Sequence, residues 1–395
     1  MLTRSEHPLF WTGFLATLSG VGLARFAYTA LMPQMVQAGW FTGEQVAYLG
    51  AANLLGYLLG ALAAAAMAER WGALRVLVGC WLVVALSFAG CSFAQPLPLF
   101  FGWRLLSGVA GAVLMVLGPS VAMAATPLER RAVLGPLMFC GIGAGALLSS
   151  TLVPALAPLS LGTVWWGLTV ICIAALWGGW HNARRLPAPS PIPIHPQTPM
   201  HTPTPTAALW SLPVLLVFGA YITDGFGFVP HTVFWVDYLA RELALGSHYG
   251  STQWAFFGLG AVAGPLFASL CATRWGWWRT SSGAYALKAM AIGLPLWSTG
   301  FASHAISGLI VGALSPGMAA IISGYLMQLV GPARHKRMWG YATAAFALAQ
   351  ATAGYVMASM YAHTGSYSHL FVWGCGALAL GTLLVLFSKP SLKKA

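Results

Sequence analysis

The sequence predicts an all-α membrane protein of twelve transmembrane helices, arranged as two six-helix bundles in parallel repeat. Three observations predict it. Charged residues make up only 7% of the 395 and hydrophobic residues 58%, with a mean hydropathy of +0.75. A soluble domain carries about 25% charged residues, so too few are present here to coat a water-facing surface. Apolar stretches recur along the chain, each long enough to cross ~30 Å of hydrocarbon as a helix. Finally, one octapeptide is written twice, AERWGALR at 68–75 and ATRWGWWR at 272–279, 204 residues apart. A β-barrel would need strands of alternating pattern; runs such as LLGYLLGALAAAAMA and GALALGTLLVLF are continuously apolar and rich in Ala, Leu and Gly, so helices are expected.

Span 1 (9–36) follows a polar lead-in, Met1–Pro8, that lacks the apolar core and cleavage site of a signal peptide. Span 2 (44–67) ends in the first octapeptide and span 3 (74–94) leaves it. Span 4 (98–124) carries RLLSGVAGAV, and span 5 (132–157) carries Gly135-Pro136, GIGAG and the cluster Ser149, Ser150, Thr151. Span 6 (162–182) closes the first half. Residues 184–208 hold eight prolines and no apolar periodicity, and at ~3.1 Å per residue could reach roughly 75 Å as a passive tether. Span 7 (209–233) contains Asp224, Gly225 and Gly227. Span 8 (249–273) runs into the second octapeptide, and span 9 (280–300) carries Lys288. Span 10 (303–329) should kink at Ser315-Pro316-Gly317, span 11 (338–362) carries Gln350, and span 12 (367–388) is continuously apolar. All six cysteines fall inside spans, which reads as packing without disulfides.

The net charge of +12 could suggest a polyanion partner, but its distribution argues otherwise. With the N-terminus inside, every basic residue except Arg241, Arg25, Arg104 and Lys288 falls in a cytoplasmic loop or tail. That is the positive-inside pattern, and it places both termini in the cytoplasm. Other elements repeat near the same offset: Arg104-Leu-Leu-Ser107-Gly108 with His304-Ala-Ile-Ser307-Gly308, and Arg130-Arg131 with Lys336-Arg337. The expected division is a six-helix unit over 1–183, the linker 184–208, and a second unit over 209–395, in parallel repeat about an axis along the membrane normal.

Ionisable residues inside a bilayer are costly and are functional candidates by default. Asp224 is the only acid read as deep in a span. Arg25, about as deep in span 1, could meet it across a central site. Tyr221, Asp224, Phe228 and His231 share one helical face. Asp224 reads either as a proton-coupling carboxylate or as a structural ion pair. Arg25, flanked on its face by Gly22 and Tyr28, reads either as an anion site or as a structural pair. Lys288 on span 9 reads as a snorkelling cation. Asn53, Tyr57 and Gln350 are polar candidates for solute contact, and each also suits an interhelical hydrogen bond. No nucleotide-binding, zinc or hydrolase signature occurs. The reading therefore needs no cofactor, metal, nucleotide or nucleic acid, and no enzyme activity.

The six-plus-six plan resembles the major facilitator superfamily over nearly the whole chain. Glu69, Arg70, Gly72 and Arg75 match that family's loop after span 2, although Ala65 replaces its usual glycine and Thr273 replaces the acid of the second copy. GVGLARFAYTALMP (20–33) resembles the first span of the YbfB/YjiJ branch. The resemblance implies alternating access around a central site lined by spans 1 and 7, with Glu69, Arg70, Gly72, Arg75 and Arg274 in the gate and Arg104 a candidate in proton coupling with Asp224 and His231. It implies a monomeric, proton-coupled secondary transporter in contact with lipid in the inner membrane of a bacterium, moving a small organic solute held by Arg25, Tyr28, Asn53, Tyr57, Tyr221, Phe228 and Gln350. The preferred solute is an organic anion or amphipathic compound, and the preferred direction is export. The alternatives are uptake of a carboxylate or sugar, or a membrane sensor or assembly factor that does not transport.

Overall fold

A computed structural model describes residues 2–186 and 210–389. Twelve long helices follow one another: α1 (His7–Gln37), α2 (Gly43–Trp71), α3 (Ala73–Gly90), α4 (Leu97–Ala124), α5 (Arg131–Leu156), α6 (Leu161–Ala183), α7 (Leu212–Glu242), α8 (Ser247–Trp275), α9 (Trp277–Gly293), α10 (Phe301–Val330), α11 (Pro332–Thr364) and α12 (Ser368–Phe387). Ten of them are long and apolar enough to cross a bilayer; α9 has 17 residues, and α11 begins with the basic run PARHKR. The proline-rich segment expected as a linker lies almost wholly outside the described residues. The six cysteines are free.

Helices α1–α6 pack together, as do α7–α12, and the repeat is visible atom by atom. A Cβ on Gly56 or Gly60 of α2 would overlap the carbonyl of Leu105 or Val109 on α4. At an offset of 204, a Cβ on Gly260 or Gly264 of α8 would overlap the carbonyl of Leu309 or Ala313 on α10. The reciprocal contacts repeat as well: Gly108 against the Asn53 carbonyl, Gly312 against that of Phe257. Such backbone-to-backbone approach is what small residues permit between helices in lipid. The octapeptides also fold alike. Gly72 (φ 82°) and Gly276 (φ 79°) each turn the chain in one residue between two helices, in a conformation that glycine adopts without penalty.

Two helices are irregular where the site forms. α1 widens into a π-helix over Leu18–Leu23, breaks at Ala24–Arg25 and resumes at Phe26. α7 runs as α-helix to Gly227, then through π turns at Pro230–Phe234 and Tyr238–Glu242. It therefore ends nine residues beyond the 233 expected from the sequence, because helical winding continues through the Asp237–Arg241 pair. Arg241, expected in a loop, lies in the helix, and Asp237 is a second fully buried acid there.

The bundles meet along two seams related by the repeat, α2 with α11 and α5 with α8. Their mutual contacts gather in the middle and at the end opposite the termini. There Thr29 donates to the Thr232 carbonyl (2.6 Å), Ser247 to Gln37 (3.2 Å), and Gly43 sits against Arg241 and Tyr361. At the terminal end the first segment of α1 packs mainly on α4, α5 and α6, and the first segment of α7 on α11 and α12. Glu6 and Arg130 form an ion pair that ties the start of α1 to the α4–α5 connection. The hydrogen bonds from Arg130 and from the Thr3 backbone hold the Glu6 carboxyl down at about 2.

Candidate functional site

The break in α1 creates the site's first feature. With Tyr28 N–H turned to the Arg25 carbonyl, the Ala24 carbonyl loses its helical partner. Arg104 Nη1 (3.0 Å) and Asn53 Nδ2 (3.2 Å) fill that role, a buried acceptor seldom being left unpaired. The Asn53 amide also reaches the Arg104 carbonyl and Ser107. Arg104 lies over the Tyr28 ring at 4.2 Å, and the Tyr28 hydroxyl donates to the Val46 carbonyl. Tyr28, Asn53 and Arg104, read from the sequence as candidates for solute or proton contact, are thus engaged in one buried knot that holds the break.

The break leaves Arg25 facing the middle of the molecule. Its Nη1 donates to Gln350 Oε1 of α11 at 3.0 Å, across the bundles. The rings of Phe228, Phe26 and Tyr57 stand 5.1, 5.7 and 5.9 Å from its guanidinium carbon. Arg25 is 7% exposed, and its Nε and Nη2, together with Gln350 Nε2, are buried without a hydrogen-bond acceptor. Four of the residues expected at a solute site therefore come together: Arg25, Tyr57, Phe228 and Gln350. Tyr221 stacks on Phe346 and Trp339, and Phe346 in turn meets Phe228, extending the aromatic wall.

Asp224 does not pair with Arg25. Its carboxylate accepts from Lys288 Nζ at 2.6 Å, and both side chains are almost fully buried. The register explains the difference. At the repeat offset of 204, Asp224 is equivalent to position 20, five residues before Arg25, so the two differ in depth by ~7 Å. Lys288 does not snorkel; α9 turns it inward, where Nζ also approaches the Leu314 carbonyl at 3.4 Å. The Phe228 ring is in reach of both cations, its centroid 5.2 Å from Lys288 Nζ and 5.1 Å from the Arg25 guanidinium carbon. Lys288 was missed as a site residue because nothing in its own neighbourhood says which way α9 faces.

His231 lies beyond this pair, stacked on Trp235 at 4.4 Å. Its Nε2 donates to Ser307 (2.7 Å), whose hydroxyl donates onward to the Ala291 carbonyl, so the Nδ1 is left buried and unpartnered. At the end opposite the termini, Asp237, Arg241, Tyr361 and Tyr367 form a closed cluster in which Arg241 grips the carboxylate with two nitrogens and both tyrosine hydroxyls touch Arg241 at 3.1 Å. Glu69, Arg70, Gly72 and Arg75 at the α2–α3 corner and Arg274 near the α8–α9 corner are all exposed. The described ion pairs do not include Glu69, and Arg70 stacks on Trp71 at 5.7 Å.

Residues 17–386 match the family described as the uncharacterised MFS-type transporter YbfB. A stretch of 139 residues is 34% identical to the 3-(3-hydroxy-phenyl)propionate transporter of Escherichia coli (strain K12), and the chain spans about a third (34%) of that relative's length. Two solved structures share the fold: a mutant of the nucleoside transporter NupG (TM-score 0.74, 14% identity, 98% of this chain and 100% of that one) and the D-xylose-proton symporter (TM-score 0.73, 17% identity, 96% and 97%). A helix break that presents an arginine to the seam of two repeated six-helix bundles is thus set in a known framework, and the chain belongs to the YbfB-type transporters of the major facilitator superfamily, multi-pass membrane proteins that move small solutes.

Proposed function

We propose that this protein is a proton-coupled secondary transporter of organic anions with an apolar or aromatic body. One observation carries the reading: three buried donor nitrogens, Arg25 Nε and Nη2 and Gln350 Nε2, converge between the bundles without an acceptor. Leaving buried donors unpaired costs about 1–3 kcal/mol each, and a carboxylate accepts from a guanidinium fork in matched geometry. Tyr57, Phe228, Phe346 and Tyr221 supply an aromatic surface beside it. The partial likeness to a transporter of an aromatic carboxylate supports the same class.

The coupling carboxylate in this reading is Asp224. A proton taken up there dissolves its ion pair with Lys288, and the released ammonium changes the field across the Phe228 ring at the anion site. The two units, 1–183 and 209–395, rock about their seams; the contacts gathered away from the termini mark a conformation closed at that end. In the bacterial inner membrane with the termini cytoplasmic, as the basic loops suggest, this conformation faces inward. Glu69 and the arginines of the octapeptides pair when the inner end shuts.

Thermal unfolding of the purified protein against a panel of aromatic and aliphatic carboxylates, with a sugar and a nucleoside as neutral controls, tests the anion site. Carboxylates should raise the Tm of the wild type and leave that of Arg25→Gln unchanged; equal stabilisation by the neutral solutes overturns the assignment. In proteoliposomes a stabilising carboxylate should drive proton movement that Asp224→Asn abolishes while solute exchange persists. The sign of that movement under an imposed pH gradient tests export, and no movement at all would favour a sensor.

A further inference from the structure

A buried ion pair that trades protons needs a route to water, and the two sides of Asp224–Lys288 differ. On the Arg25 side stands the Phe228 ring. On the α9 side the buried polar groups lack protein partners. Ser281 and Tyr285 are 0% exposed, Thr280 is 7%, and none of their three hydroxyls has a hydrogen-bond partner. Ser281, Tyr285 and Lys288 follow at +4 and +7, so they form one stripe along α9, beginning one turn from its start at Trp277. From Ser281 to Lys288 the stripe spans ~10 Å at ~1.5 Å per residue.

The charged groups around this stripe are the Asp224–Lys288 pair at its inner end and Arg279 beside Thr280 at its outer end. Gly381 of α12 lies against the Tyr285 ring, and on α7 Thr223 donates to its own helix. Asp224 is within electrostatic reach of Tyr285 and Tyr221, and His231 lies within reach of Lys288 from the far side. A cavity of about 330 Å³ flanks the adjoining face of α9 between α8 and α10; Thr280 and Arg279 line it together with Leu314, the rest of its wall is largely apolar, and Ser281 and Tyr285 do not border it. Leu314 carries the carbonyl that Lys288 Nζ approaches. Buried hydroxyls without protein partners are ordinarily satisfied by internal water where there is room for it.

We propose that protons reach the Asp224–Lys288 pair through the C-terminal bundle itself, along a water-bearing track on α9 marked by Thr280, Ser281 and Tyr285, and not past Arg25. This rests on the coupling role given above to Asp224. In the step itself a hydronium at the head of the track gives its proton to the Asp224 carboxylate and becomes water. Lys288 keeps its own proton and loses its partner. Solute and proton thereby use separate approaches, the solute at Arg25 and the proton along α9.

Radiolytic footprinting of the full chain in vesicles reads the track directly, because bound water modifies the side chains beside it. Tyr285 should be modified at least tenfold faster than Tyr325, which is equally buried but has its hydroxyl bonded to Ser388. If Tyr285 is as protected as Tyr325, the track does not exist. After a pH jump, the infrared carboxyl band that Asp224→Asn removes should rise at least tenfold more slowly in the Ser281→Ala/Tyr285→Phe protein, and at the wild-type rate in Arg25→Gln. The reverse pattern overturns the proposal. An Asp224→Asn protein that still couples would sink the coupling role while leaving the footprint of Tyr285 in place.

Discussion

Burying Lys288 and Asp224 together is tolerable only while both remain, since removal of one partner strands a charge in an apolar interior. Breaking a buried pair in this way costs about 3–5 kcal/mol. Lys288→Ala should therefore lower the Tm of the purified protein more than the Lys288→Ala/Asp224→Ala double variant does. A single variant as stable as the wild type would mean the two groups are not paired in solution. Arg25 behaves differently, having rings and one amide about it and no carboxylate, so Arg25→Gln should remove anion binding with little loss of Tm. Sequence alone identified Arg25, Asp224, Phe228 and Gln350 as candidates, because charge and amide groups are rare in these spans. It paired Arg25 with Asp224, whereas Asp224 holds Lys288 and Arg25 holds Gln350, because partner choice depends on depth to within a turn and on the facing of α9, neither of which hydropathy encodes. Asp237 was overlooked for a related reason: span 7 was ended at 233, which put Arg241 in water and left its acid partner without a place.

At the scale of elements, α2 with α4 and α8 with α10 are joined through glycines whose missing side chains let backbones touch. Gly264→Val would drive two methyls toward the Ala313 carbonyl, and overpacking of this kind typically costs about 1–3 kcal/mol. The matched change at Gly60 should cost about as much, since its neighbour is the equivalent carbonyl of Val109; unequal Tm losses in the two variants would show that the repeat is not energetic as well as geometric. The tie between Glu6 and Arg130 has a pH signature. Its carboxyl sits at about 2 in the fold against an ordinary 4.5. The stabilisation is therefore complete above about 4.5 and is lost as pH falls through about 2. The Tm difference between wild type and Glu6→Gln should shrink across that window and hold steady above it.

For the whole molecule, the repeat was legible in sequence as the doubled octapeptide, and the long helices as apolar runs, ten of them long and apolar enough to cross a bilayer among the described residues. Which end the bundles close was not legible, because it depends on seams between residues about 200 positions apart. The seam at that end fits closely on Gly43, where an added Cβ would stand 2.8 Å from the Tyr361 hydroxyl and 3.0 and 3.1 Å from the two terminal nitrogens of Arg241. Gly43→Leu should wedge that seam and shift the population toward a state open there. Spin-label distances between the starts of α2 and α12 should lengthen in the variant; unchanged distances would show that the cluster of Asp237, Arg241, Tyr361 and Tyr367 plays no part in holding the end shut.

The one-residue corners at Gly72, Gly276 and Gly331 have a mechanical outcome. Each joins two long helices with no slack, and all three lie on the face that carries the termini. In the second half they couple α8 to α9 and α10 to α11, so that Lys288 sits one corner away from the wall that faces α5. In the rocking motion proposed above, tilting one lever of such a pair would swing the other and carry with it the cation that answers Asp224.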